Sequence, residues 1–295
     1  MIETIVLPVY NKLDLFERNL KQVICAKNYY TNVNKDITCK ILVAIDNSEI
    51  KDAFEKIARE HGVDIILQRD KHNHLALNLL EAKMFAFDTL KSDFIWLIED
   101  DIFVSKYYFV NIKRVYEAYS EKFDNIGLVN SETFCVCENK RDELYSYVQS
   151  CVKIFPPLTN FLQTKKCWDE TVEALKAWYA RFIPEKYRDR NSQEIRAWFA
   201  QNLRISIDNF ASPLQPTKEF FDFFTKDNVA TGQDAAIIFL AYTNGFCYIS
   251  TMFNHVICPP NVGEHTSLEW YDTNNYTNIT LEEIELERDK IVINS

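Results

Sequence analysis

Phe94-Ile95-Trp96-Leu97-Ile98-Glu99-Asp100-Asp101 sets five apolar residues directly against three carboxylates. An unbroken apolar run of that length, with β-branched and aromatic side chains, reads as a strand buried on both faces. Working back toward the start, Leu75, Leu79, Ala82, Ala86 and Leu90 recur at helical spacing, and Val63 to Leu67 is another apolar run. Before it comes a helix carrying Phe54, Ile57 and Ala58, and before that the run Lys40 to Ile45. The opening run, Thr4 to Leu7, is closed by Pro8, which cannot donate to a ladder. Leu13, Phe16, Leu20, Val23 and Ile24 then mark one face of a helix, with Asp14 suiting its positive N-terminal end.

Strands alternating with helices in this way predict an α/β fold, a mostly parallel central sheet flanked by helices. In such sheets ligands gather beyond the carboxyl ends of the strands. The segments there are Pro8-Val9-Tyr10-Asn11, Asp46-Asn47-Ser48, Gln68-Arg69-Asp70 and Glu99-Asp100-Asp101, all markedly polar. From Ile126 onward the pattern changes. Ile126 to Asn130 and Leu144 to Ile154 read as strands, and Trp168 to Phe182 and Gln193 to Leu203 as helices with aromatic faces. A helix from Gln233 to Thr243 and a strand from Phe246 to Ser250 follow. An irregular tail with Pro259-Pro260 and an acidic helix from Leu281 to Lys290 close the chain. Three parts result: 1–130, a helix-rich 131–258, and 259–295 as closing loop and tail.

Composition narrows the function. The chain has 295 residues, 43 acids against 33 bases and a net charge of -10, so no global field attracts nucleic acid or an anionic membrane. No apolar run approaches the ~20 residues of a membrane span; the longest, around Ala235 to Tyr242, reads as part of an amphipathic stretch. The first residues lack the order of a secretory signal, so a cytoplasmic protein is expected. The eight cysteines, scattered and without zinc spacing, fit reduced and mostly buried thiols. Five glycines leave no glycine-rich phosphate loop. The sequons at Asn275 and Asn278 are read as chance matches.

Three consecutive carboxylates repel one another unless a positive group sits among them. A hard divalent cation is the natural counter-charge, held by one or two carboxylates with water and phosphate oxygens completing its shell. The plainer reading is an acidic cap on a helix starting near Ser105, but three acids against the strand exceed what a cap needs.

These segments carry a resemblance. Thr4-Ile-Val-Leu-Pro-Val-Tyr-Asn11 resembles the opening strand of nucleotide-sugar glycosyltransferases of the GT-A (Rossmann-like) fold, and Ile41-Leu-Val-Ala-Ile-Asp46-Asn-Ser48 resembles their second strand. Glu99-Asp100-Asp101 is similar to their Asp-x-Asp metal motif, in the triple-acid form of the N-acetylglucosaminyltransferase I group. Thr231-Gly232-Gln233-Asp234 resembles the Gly-Glu-Asp segment of glycosyltransferase family 2, with Gln233 in place of the first acid. Pro259-Pro-Asn261-Val-Gly263-Glu-His265-Thr266 is similar to the loop that returns over the diphosphate.

The resemblance implies a nucleotide-sugar-binding part, 1–130, and an acceptor-binding part, 131–258, with 259–295 closing over the site. Pro8, Val9 and Asn11 would line the base and ribose pocket, and Asp46 would accept a hydrogen bond from base or ribose. Arg69 would reach the base or a phosphate. Glu99 and Asp100 would hold the ribose and donor sugar, Asp101 would bind Mn²⁺ or Mg²⁺, and His265 would complete the metal shell or touch the diphosphate. Asp234 would be the catalytic base. The expected activity is metal-dependent, inverting transfer from a nucleoside-diphosphate sugar, a UDP-sugar favoured, to a hydroxyl of a glycan or other acceptor.

The residues leave alternatives open. Asp234 also suits an N-cap of its own helix, Asp46 an Asx-turn with Asn47 and Ser48, and Arg69 an ion pair with Asp70. His255 competes with His265; His61 reads as a helix end, and His72 and His74 as solvated residues opening the next helix. Trp178 and Trp198 read as core, Trp270 as a sugar contact. A sugar nucleotidyltransferase is the rival enzyme, although Pro8-Val-Tyr-Asn11 offers neither Gly nor Arg. A carbohydrate-binding module that lost its chemistry is the non-enzyme rival.

Overall fold

A computed structural model describes residues 1–131, 145–148, 160–184, 190–201, 232–251, 256–257 and 292–293. Strands β1 (Ile2–Val9), β2 (Thr38–Ile45), β3 (Ile65–Gln68) and β4 (Phe94–Ile98) pair in parallel in the order β3-β2-β1-β4. Their connections are α1 (Leu13–Val33), α2 (Lys51–Glu60) and α3 (His74–Met84), the last prolonged by a π turn over Phe85–Thr89. Side-chain alternation divides the apolar runs between two cores. Val6, Leu42, Ala44, Ile95 and Leu97 face α3, while Ile5, Leu7, Val43, Ile45, Trp96 and Ile98 face α1, α2 and α4 (Tyr108–Ser120).

β1 runs through Pro8, which pairs with Ala44, and does not stop before it. The ladder with β4 ends at Val6 and Leu97, so Pro8 sits where β1 is paired on one side and a missing N–H is tolerated. α4 likewise starts at Tyr108 and not near Ser105, because β5 (Phe103–Val104) intervenes and pairs with β10 (Val256–Ile257).

Beyond β4 the sheet continues across residue 130. β8 (Asn160–Thr164) lies antiparallel between β4 and β6 (Ile126–Ser131), and β9 (Cys247–Thr251) is parallel to β6. Outside them lie β7 (Tyr145–Val148), antiparallel to β9, and β11 (Val292–Ile293). The carboxyl ends of β1, β2, β3, β4, β6 and β9 therefore share one edge. This is a helix-flanked, mostly parallel α/β sheet. The sequence gives no periodic signal for β8: Asn160-Phe-Leu-Gln-Thr164 mixes amides with apolar residues, yet all five positions are buried. Tertiary bonds absorb part of its polarity, since the Asn160 amide bonds both backbone groups of Ser131 and its Oδ1 accepts from Tyr108, whereas Gln163 Oε1 is buried without a partner among the described residues.

Helices α5 (Lys165–Phe182), α6 (Ser192–Gln201) and α7 (Gln233–Thr243) follow in the second half. Ala236 to Ala241 are all buried, so α7 is a core helix and not the amphipathic one its flanks suggested. Trp168 and Trp178 are fully buried, and Trp198 packs edge-on to Phe182. Gly127 sits at the register shift of β6, where a Cβ would come within 2.9 Å of both Cys167 Sγ and Phe246 Cβ. Cys39, Cys167 and Cys247 are buried and Cys25 is exposed, all four free thiols; the remaining cysteines lie outside the described residues. Among the described residues no helix is long and apolar enough to cross a membrane.

At the amino end of the sheet Glu3 is buried, its carboxylate accepting from Tyr30 Oη, Trp96 Nε1 and Lys113 Nζ, the last at 2.9 Å. One carboxylate thereby joins β1, β4, α1 and α4. Removing its cation leaves an uncompensated buried charge, which costs about 3–5 kcal/mol. Lys113→Met is expected to lower the urea midpoint accordingly, whereas an unchanged midpoint would show that the Glu3–Lys113 pair contributes nothing to stability. Gly127→Ala overpacks the β6–α5 contact and is expected to destabilise by about 1–3 kcal/mol in the same measurement.

Candidate active site

The acids after β4 are held from two sides. Asn19 Nδ2 of α1 donates to the Glu99 carbonyl at 2.6 Å, fixing the turn that leaves the strand. The Tyr10 backbone hydrogen bonds to the Asp100 carboxylate, tying the end of β1 to the same turn. Asp101 is buried, and its Oδ2 meets Lys12 Nζ at 2.5 Å. Burial alone would lower the Lys12 ammonium, but Asp101, Asp100 and Glu99 together hold it above its ordinary value.

One ammonium does not neutralise this cluster. Burial raises Asp100 to about 7, with Asp101 adding to the rise and Lys12 opposing it. Glu99 is raised well above the usual carboxylate range by burial and then by Asp234, Asp101 and Asp100. Asp234 stands in the first turn of α7, whose N-terminus reaches the carboxyl edge because α7 runs back into the parallel strand β9. Burial pushes Asp234 up to about 6, while the Gln233 side chain and Lys83 hold it down. The structure thus brings Glu99, Asp100, Asp101 and Asp234 to one stretch of the edge, joining residues read separately in the sequence.

A second group lies at the ends of β1 and β2. Pro8 and Val9 are buried, Asn11 is exposed, and Asp46 is 1% exposed. Asp46 Oδ1 accepts from the backbone N–H of Asn47 and of Asn73, so the acid pins the loop after β3 besides turning its own strand exit. His72 Nδ1 stands 2.8 Å from Asp46 Oδ2, and its ring stacks on Tyr10 at 4.6 Å. Expected to be merely solvated, His72 precedes α3 and is engaged by a second ring as well, His74 meeting it edge-on at 4.0 Å. His74 opens α3 with φ 56°. His61 is the C-cap of α2, as expected.

Arg69 turns toward α3. Its Nε donates to Asn78 Oδ1 at 3.0 Å and its Nη1 lies 3.1 Å from Glu81, not beside Asp70. Asn78 in turn donates to the Ala44 carbonyl, so the guanidinium is anchored to β2 through α3. His265, His255 and Trp270 lie outside the described residues. Between the start of α3 and the end of α5, a cleft of about 400 Å³ is lined by His74, Leu77, Leu80, Tyr179 and Ile183 among others. Tyr179 also faces Asp234, whose charge raises its hydroxyl pKa further after burial.

Among the described residues no three His, Cys, Asp or Glu side chains form a ready metal cage. The donor chemistry still fits a hard divalent ion. Such an ion takes one or two carboxylates and fills its shell with water and phosphate oxygens, and Asp101 already holds a cationic group. Lys12 and Lys83 were not singled out from the sequence. Lys12 directly follows the segment ending at Asn11, and Lys83 follows Leu79 by one helical turn on the buried face of α3.

The raised acids make stability depend on pH in a defined sense. Unfolded carboxylates titrate near about 4. With folded values of about 7 for Asp100 and about 6 for Asp234, the stabilising effect of protonation is complete below the unfolded value and is lost as pH rises through 6 to 7. Asp100→Asn is therefore expected to melt above wild type at pH 8 and to lose that advantage at pH 4, as followed by circular dichroism. Equal melting at both values would mean that Asp100 is solvated and unperturbed.

No protein-family profile matches the sequence, and no curated protein matches it. Solved structures similar to the chain include that of S. aureus TarS, at 9% identity and TM-score 0.48, covering 93% of this chain and 38% of that one. A second is the mannosyltransferase PcManGT from Pyrobaculum calidifontis in complex with GDP-Man and Mn²⁺, at 11% identity and TM-score 0.41, covering 82% and 73%. A third is glucosyl-3-phosphoglycerate synthase from Mycobacterium tuberculosis with Mn²⁺, UDP-glucose and phosphoglyceric acid, at 16% identity and TM-score 0.38, covering 61% and 65%. The chain spans well under half the length of the TarS chain it matches.

Proposed function

We propose that the protein is a metal-dependent, inverting glycosyltransferase that moves a sugar from a nucleoside-diphosphate sugar, by preference a UDP-sugar, to an acceptor hydroxyl. The observation that carries this reading is the gathering of Asp234 with Glu99, Asp100 and Asp101 at the carboxyl edge, where the charges of Asp234, Asp101 and Asp100 all raise Glu99. In this reading Pro8, Val9 and Asn11 border the base and ribose, with Asp46 as acceptor for base or ribose and Tyr10 and His72 as neighbouring rings. Glu99 and Asp100 orient the ribose and donor sugar. Asp101, with His265, holds the divalent ion, and Arg69 reaches base or phosphate once released from Glu81.

When bound, the ion offsets the charge that builds on the departing diphosphate. Lys12 contributes a second, tethered positive charge on the same side. Asp234 takes the proton from the acceptor hydroxyl as its oxygen attacks the anomeric carbon, and a single base opposite the leaving group gives inversion. General-base assistance of this kind is worth about 10²–10⁴ in rate.

Incubating the protein with common UDP-sugars and Mn²⁺ is expected to release UDP slowly, even without acceptor. Asp101→Asn is expected to weaken donor binding and metal dependence together in calorimetric titrations; an unchanged metal response would move the ligand elsewhere. Asp234→Asn should leave donor affinity near wild type and reduce turnover by at least ~100-fold. Because Asp234 must be ionised to act, kcat is expected to fall as pH drops through about 6. Normal turnover in the Asn variant would remove this residue from the mechanism.

A further inference from the structure

The loop between β3 and α3 spends its polar groups on holding its own shape. Arg69 is bonded to Asn78 and paired with Glu81, and Asn73 Nδ2 donates to the same Glu81 carboxylate at 3.0 Å. The Asn73 backbone N–H donates to Asp46 Oδ1 at 2.7 Å, which ties the loop to the end of β2. His74 then turns the chain into α3 through the left-handed region, at φ 56°. A residue with a Cβ keeps that conformation only where its surroundings impose it.

This scaffold presents the ring of His72. Tyr10 stacks on it at 4.6 Å with 25° between the planes, and His74 meets it edge-on at 4.0 Å. Its Nδ1 stands 2.8 Å from Asp46 Oδ2, off the ideal hydrogen-bond line, and no other group among the described residues bonds that buried oxygen. One edge of the ring is thereby fixed. The side chain is still 35% exposed, and its Nε2 has no hydrogen-bond partner among the described residues.

The tautomer follows from the partner. Two facing lone pairs repel, so the nitrogen beside the carboxylate carries the proton, and in the neutral ring Nε2 is left as an acceptor. Asp46 has little left to offer a ligand: Oδ1 accepts two backbone N–H groups, Oδ2 faces the imidazole, and the residue is 1% exposed. Of these two acceptors, the imidazole nitrogen is the one open to solvent.

We propose that His72 reads the base of the nucleotide donor, its Nε2 accepting an imide N–H such as the N3–H of uracil. Asp46 is then a positioning residue that fixes the tautomer, and Tyr10 fixes the plane of the ring. The proposal rests on the nucleotide-sugar reading above and, within it, moves the base contact from Asp46 to His72. Uracil satisfies the acceptor. Cytosine has a lone pair at the same ring position and N3-methylated uracil has a methyl group, so each leaves Nε2 unpaired, and a site built around a hydrogen bond rejects an analogue that cannot make it.

Calorimetric titration of the full-length protein at pH 8 with UDP, CDP and N3-methyl-UDP, each with Mg²⁺, tests this without turnover. UDP is expected to bind about tenfold more tightly than either analogue. In His72→Phe, which keeps a ring against Tyr10 but offers no acceptor, that preference is expected to vanish. Asp46→Asn retains an Oδ1 for the two backbone N–H groups and sets an amide N–H against His72, which reverses the tautomer; there the preference for UDP over CDP is expected to shrink. The tautomer itself is read in ¹⁵N-histidine spectra of the wild-type protein, where the His72 signals are those lost in His72→Phe. They are expected to show Nδ1–H and a bare Nε2 whose signal moves when UDP, but not CDP, is added. An Nε2–H tautomer in wild type overturns the proposal, as does a His72→Phe variant that still prefers UDP, which returns the base contact to Asp46. Equal affinity of wild type for the three nucleotides overturns this inference alone. Failure of all three to bind in the presence of Mg²⁺ overturns the nucleotide-sugar reading and this inference with it. The wild-type comparison stands whether or not the variants fold.

Discussion

Like charges held within a few ångströms in a half-buried turn cannot all remain ionised, and this constraint governs the carboxyl edge of the sheet. Glu99, Asp100, Asp101 and Asp234 meet there, and two lysines answer them from opposite sides. Lys12 reaches Asp101 from the loop after β1, and the charge of Lys83 on α3 opposes the rise of Asp234. Burial raises Glu99, Asp100 and Asp234, and the lysine charges oppose that rise. Asp101 is paired directly, Asp100 is raised to about 7, and Asp234 to about 6.

Such an arrangement is poor for stability and well suited to chemistry. A binding surface free of reaction has no physical reason to retain four acids that oppose one another at neutral pH. Sites that bind a divalent ion and activate a hydroxyl require anionic oxygen ligands and a base titrating near the working pH. The opposite end of the sheet handles buried charge differently. There Glu3 receives Lys113, Tyr30 and Trp96 together, so the group is fully bonded and binds β1, β4, α1 and α4 into one block. That block fixes the register of β1 against β4, and with it the height at which Pro8 to Lys12 and Glu99 to Asp101 confront each other.

How much was legible follows from the range of each signal. The parallel strands β1, β2 and β4 could be read because a doubly buried strand is an apolar run, the half-buried edge strand β3 because its residues are still apolar, and the acids were visible because they interrupt such a run. α7 was found with its observed bounds from its apolar length, although its sidedness was misjudged. β8 was missed because its five residues carry two amides and a threonine; burial is made tolerable by bonds from Asn160 to β6 and α4, which no local pattern reports. Lys83 left a trace that went unused, a cation one turn after Leu79 on an otherwise apolar stripe. His72 left none, for its ring is given meaning only by Asp46 and Tyr10.

The amino-acid sequence alone determined the alternation of strand and helix, the edge on which polar residues collect, and the excess of negative charge at the end of β4. These are properties of periodicity and composition, felt within a few residues of chain. The fold decided which polar groups meet: Lys12 with Asp101 across 89 positions, and Arg69 with Asn78 and Glu81 rather than its neighbour Asp70. Electrostatic energy depends on distance in space and on exclusion of water, and both are set only when the helices close over the sheet.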